Sequence, residues 1–95
     1  TPAVTMLQDL CRRDPDNRQY RHGYLMVLKT RGDAWLAAGD RVSAIRDYTE
    51  GERVGWELLK DDPANALSRT RWEGFRSSLI EVGAAPPLRE NETRR

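Results

Sequence analysis

The sequence predicts an all-α fold of about four helices, arranged as antiparallel helix-turn-helix repeats in the manner of an α-solenoid fragment. Three observations carry that prediction. Apolar residues recur at gaps of three and four through most of the chain. The phrase Asp14-Pro15-Asp16-Asn17 returns as Asp62-Pro63-Ala64-Asn65, an offset of 48 residues. An apolar pair, Leu10-Cys11 and then Leu58-Leu59, precedes both copies at the same distance, and self-similarity at such a period marks a stacked helical array.

Taken in order, Val4, Leu7, Leu10 and Cys11 give a first helix, with Pro2 suited to its first turn and Arg12-Arg13 favourable at the negative end of its dipole. Pro15 stops it, because proline lacks the donor a helix needs and pushes Asp14 out of the helical region. Asp16 or Asn17 then caps a long helix over about Arg18–Ala38, in which Tyr20, Tyr24, Val27, Leu28, Arg31 and Trp35 form one stripe. Gly39 ends that helix as a left-handed cap, and Asp40 starts the next. Val42, Ala44, Ile45, Tyr48, Leu58 and Leu59 give this third helix a buried side down to about Lys60, with Trp56 either joining it or left half exposed at an edge. The fourth helix, about Ala66 to Val82, carries Leu67, Trp72, Phe75, Leu79 and Val82 on its apolar face and ends at Gly83 before Pro86-Pro87. Residues 1–83 thus make one helical repeat domain, and the polar stretch 84–95 is expected to be a disordered tail.

Gly23, Gly32, Gly51 and Gly55 all fall inside predicted helices, where each costs up to about 1 kcal/mol relative to Ala. Close approach by a neighbouring helix is the expected reason.

Composition excludes more than it identifies. A formal charge of +1, with the arginines interleaved among Asp and Glu, gives no reason to expect nucleic acid. No apolar run is long enough to span a bilayer, so no membrane partner is expected. Cys11 is the only cysteine, which rules out an internal disulfide, and it is expected to behave as a small buried hydrophobe. His22, the only histidine, has no Ser or Cys placed beside it by local sequence and is expected on an exposed helix face. Asp14, Asp16, Asp61 and Asp62 flank proline turns, where capping explains them. No catalytic residue, metal ligand or cofactor is therefore expected, and a reducing, cytoplasmic setting fits the lone thiol. A chain that opens on Thr1 without Met is expected to be a piece of something longer.

At this point Leu28, Gly32 and Trp35, followed by Ala44 and Tyr48 and then Pro63, resemble the tetratricopeptide repeat family, in its bacterial long-helix form with a DP-x-N phrase between units. The order is that family's large residue, Gly, aromatic, Ala, aromatic, Pro. Arg31 departs from it, since the residue before the Gly is usually Leu. The period of 48 also exceeds the usual value of about 34, by close to four helical turns. The resemblance implies that Gly32 and Ala44 are the small residues at a helix crossing, with Trp35 and Tyr48 filling space beside it. It further implies a non-catalytic scaffold, part of a larger regulatory or signalling protein, that holds a peptide or helix in a concave groove. Met26, Lys29, Asp33, Leu36 and Ala37 are the residues expected on that concave face. Lys29 and Asp33 are also spaced to form an ion pair within their own helix, and Asp33 argues against a peptide C-terminal carboxylate as ligand. The alternative is self-association, in which exposed end helices pair between copies to form a homo-oligomer.

Overall fold

The computed structural model describes residues 2–89, which form four α-helices: α1 (Pro2–Arg13), α2 (Arg18–Ala37), α3 (Arg41–Asp61) and α4 (Ala66–Glu81). Among the described residues there is no strand. Each helix begins and ends where local chemistry dictates. Asn17, Asp40 and Asn65 cap the N-termini of α2, α3 and α4, and their side-chain oxygens accept from the backbone N–H of Tyr20, Ser43 and Ser68, each at 3.0 Å. Gly39 and Gly83 take positive φ, 84° and 83°, as the left-handed residue that closes a helix requires. Both closures are Schellman motifs: Asp40 N–H reaches Trp35 O at 2.9 Å, and Ala84 N–H reaches Leu79 O at 2.9 Å.

The two Asp-Pro turns share one hydrogen-bond pattern. Asn17 N–H donates to Asp14 O at 3.1 Å and Asn65 N–H to Asp62 O at 3.0 Å. Their side-chain amides donate to the same two aspartates at 3.3 and 3.4 Å. The sequence repeat is thus a repeat of structure.

The helices pack in succession, α1 on α2, α2 on α3 and α3 on α4. α2 and α4 also bridge directly. Arg18 Nη2 donates to Ser68 Oγ at 3.1 Å, Arg71 Nη1 to His22 Nδ1 at 2.9 Å, and Lys29 Nζ to Ser78 Oγ at 3.1 Å. The sequence separations of these pairs are 50, 49 and 49, so the two helices run parallel in nearly constant register. α1 and α3 flank hollows on the other side of α2, giving a slab whose shortest extent is 17 Å. One buried cluster, including Val4, Leu25, Leu28, Tyr48, Leu58 and Phe75, runs through all four helices, and a second joins Trp56, Leu59 and Trp72.

Glycines make the close crossings. A Cβ on Gly32 would stand 2.6 Å from Tyr48 Cε1, and Ala44 nearby is fully buried. On Gly51 it would stand 2.2 Å from Phe75 Cε1, and on Gly55 3.1 Å from Trp72 Cα. Gly23 faces Leu7 at an ordinary 3.4 Å. Replacing Gly32 by Leu is expected to destabilise the fold by about 1–3 kcal/mol through overpacking. Urea denaturation measures this, and an unchanged midpoint would mean that Tyr48 does not hold that position.

Several expected core residues lie elsewhere. The Tyr48 ring lies against Gly32 at the crossing, and Trp35 is left 38% exposed. Val42 is 67% exposed because it lies two residues, about 200° of rotation, from the buried Ala44. Leu67 is 50% exposed because the buried line of α4 runs through Ser68, Trp72, Phe75 and Leu79, one residue round. Trp56 joins the buried set, and Cys11 is only half-buried. Of the expected tail 84–95, the part beyond 89 lies outside the described residues. In the described part, Arg76 Nη1 donates to Pro87 O at 2.6 Å and Arg89 pairs with Glu52.

Candidate functional site

Because α2 and α4 lie side by side on α3, the surface between them is a groove with one wall from each. Its floor is apolar, made by the buried Leu25 and Phe75. Met26, 58% exposed, lines it from α2, while Gly74 lines it from α4 with nothing among the described residues within 4 Å of its Cβ position. Thr30 and Thr70 complete the walls, and the cavity measures about 340 Å³. Two cations, Lys29 and Arg71, line the groove, and none of its lining residues is acidic.

Lys29 is engaged on three sides. It pairs with Asp33 at 3.0 Å, donates to Ser78, and stands 5.3 Å from the centroid of the Tyr48 ring. Asp33 also accepts from the Tyr48 hydroxyl. Partial burial pushes the Asp33 carboxyl upward, but the bonds from Tyr48 and Lys29 outweigh it and hold the group below the usual carboxylate range. Of the five residues expected on the concave face, Met26 and Lys29 therefore line the groove. Asp33 stands beside it as the partner of Lys29. Leu36 and Ala37 are exposed on the last turn of α2 and are not part of the lining. The α4 wall was not anticipated, although the 48-residue offset carries Met26 onto Gly74.

Arg71 differs from Lys29. Its i±3 and i±4 neighbours on α4 are Leu67, Ser68, Gly74 and Phe75, none of them acidic. Its Nη1 is bonded to His22. A guanidinium can only donate, so Nδ1 of His22 accepts and the neutral ring carries its proton on Nε2. Burial, then the positive charges of Arg71 and Arg18, lower the His22 pKa below its ordinary 6.5. Rather than the freely exposed residue expected, His22 is half-buried and holds Arg71 in place.

These directions set the acid behaviour. A depressed histidine pKa means the unfolded chain binds a proton that the folded one refuses, so stability is lost as pH falls below about 6.5. Glu50 and Glu52 are held below their ordinary 4.5: burial raises each, but bonds from Arg53 and Tyr24 to Glu50, and from Arg89, Trp72 and Arg76 to Glu52, outweigh it. Their contribution is present above 4.5 and is lost as pH falls through the folded values. Urea midpoints should therefore decline in two separate acid steps. Changing His22 to Gln should remove the upper step and leave the lower one, and an upper step that survives would place its origin elsewhere.

Two other hollows, of about 350 and 530 Å³, lie between α1 and α3. Both carry mixed charge, with Arg53 facing Glu50 in one and the bidentate Arg31–Asp47 pair, at 2.8 and 2.7 Å, in the other. Among the described residues no group of three or more His, Cys, Asp or Glu is placed to hold a metal ion. No helix among them is long and apolar enough to cross a membrane. Comparison with family models, with curated proteins and with solved structures finds no match to this chain.

Proposed function

We propose that the chain is a non-catalytic protein-binding scaffold of the tetratricopeptide kind, and that the groove between α2 and α4 holds a peptide or helix of a partner protein. One observation carries this reading: an open groove with an apolar floor, walled by two parallel helices in repeat register. A hollow with apolar floor and a few polar groups at its edges is the usual form of a recognition surface. The α1/α3 hollows, by contrast, have polar linings of mixed charge that include the Arg53–Glu50 and Arg31–Asp47 pairs. The shared geometry of the two Asp-Pro turns supports the repeat reading, as do the small residues at the α2/α3 crossing.

The reading is tested by selecting short random peptides against the protein and mapping the enriched ones by backbone amide shifts. Shifts centred on Met26, Lys29 and Gly74 are expected. Shifts confined to Arg46 and Arg53 would move the binding surface to the α1/α3 side. A failure to enrich any peptide would count against a recognition groove altogether.

A further inference from the structure

Resting on that groove, we infer that its partner is a protein segment presenting an acidic side chain about one helical turn from an apolar one, the acidic group binding Arg71 and the apolar group resting on Gly74. Two independent observations lead there. The first is charge. Every lining cation but one is already neutralised, since Lys29 has Asp33 at 3.0 Å, whereas Arg71 is bonded only to a neutral imidazole among the described residues. A guanidinium offers five N–H donors in a planar fork suited to a carboxylate, and one nitrogen of this fork is fixed on His22. That bond restricts the side chain before a ligand arrives, which lowers the ordering cost of binding.

The second observation is Gly74. Five glycines lie inside helices, and Gly23, Gly32, Gly51 and Gly55 each face a side chain or backbone of the adjacent helix. Among the described residues nothing lies within 4 Å of the Gly74 Cβ position, and Gly74 lies in the groove between Arg71 and Phe75. A helix-interior glycine against which no other described part of the fold packs leaves room over the apolar floor for an incoming side chain, with the Met26 thioether as an adaptable wall. Arg71 and Gly74 are three residues apart on one helix, a separation of about 5 Å along its axis. The distance is right for an acidic and an apolar residue three or four apart on a partner helix, or two apart on an extended segment.

The test uses the full chain and the peptides selected against it. Enriched peptides should carry Asp or Glu beside Leu, Met or Phe, and Arg71→Gln should weaken them about tenfold, more at low salt than at high. Gly74→Leu, which meets no neighbour at Cβ and favours the helix, should weaken the same peptides by at least that factor while leaving the urea midpoint no lower. Peptides that map to the groove but are neutral or basic, or that ignore Arg71→Gln, would overturn the acidic partner and leave the groove standing. Acidic peptides that bind wild type and Gly74→Leu equally would overturn the apolar seat on Gly74. Peptides that map outside α2 and α4 would overturn the groove itself, and this inference with it.

Discussion

Replacing Gly51 by Ala is expected to cost about 3 kcal/mol, the upper part of the range for overpacking a core. The added Cβ would fall 2.2–2.4 Å from three atoms of the Phe75 ring. That ring is only 3% exposed and packs within the central cluster, so it cannot swing aside cheaply. Gly74→Ala is the control. It makes the same chemical change inside a helix with nothing near, and it should gain about 0.5–1 kcal/mol. Urea denaturation of the two variants should therefore move in opposite directions. Combining Gly51→Ala with Phe75→Leu should recover part of the loss, because the smaller side chain vacates the contested space. A Gly51→Ala protein as stable as wild type would mean that α3 and α4 cross elsewhere.

Loss of the Glu52 carboxylate is the other large effect. Glu52 is fully buried, yet it accepts from Trp72 Nε1 at 2.9 Å, from Arg76 at 3.1 Å, and from Arg89. Arg76 and Arg89 also stand over the Trp72 and Trp56 rings, at 5.0 and 5.8 Å from their centroids. Removing the acceptor by Glu52→Ala takes the acceptor from an indole N–H and one salt-bridge partner from each of two guanidinium groups, a change expected to cost about 3 kcal/mol. Glu52→Gln keeps an acceptor for Trp72 but loses the charge, and it should cost less. Because Arg89 belongs to the segment after α4, tryptophan emission should shift along with the stability. An Ala variant within roughly 1 kcal/mol of wild type would show that this network does not hold the segment in place.

Both effects turn on features that the sequence displayed unequally. Helix ends were legible because capping is local chemistry: Asn17, Asp40, Asn65, Gly39 and Gly83 satisfy backbone groups within a few residues of themselves. The glycine crossings were legible for a related reason, since a poor helix former inside a helix signals a close neighbour, as it does at Gly23, Gly32, Gly51 and Gly55 though not at Gly74. Glu52 was not. It sits in the run Glu50-Gly51-Glu52-Arg53, which reads as a solvated face, and the residues that bury it are 20, 24 and 37 positions away. Asp47 was hidden in the same way, and it accounts for Arg31: where an apolar residue would fill the stripe of α2, an arginine forms a bidentate pair with a carboxylate 2% exposed on α3. The groove was half legible. Met26 and Lys29 were expected there only through the resemblance to the tetratricopeptide family, whereas Arg71 and Gly74 depend on how α4 is set against α2, which only the repeat offset encodes.

The succession of contacts, each helix touching the next in sequence, also fixes how the chain acquires its shape. Most of the packing joins helices adjacent in sequence, and the α2–α4 bridges, 49–50 residues apart, can close over an α3 already docked on both, so little loop-closure entropy opposes assembly, and folding belongs in the microsecond-to-millisecond range of local helical topologies. Loss of structure follows the same line. α1 and α4 each pack extensively on one neighbour while α2 and α3 each pack on two, so opening starts at the outer helices and the α2/α3 hairpin is the last part to come apart.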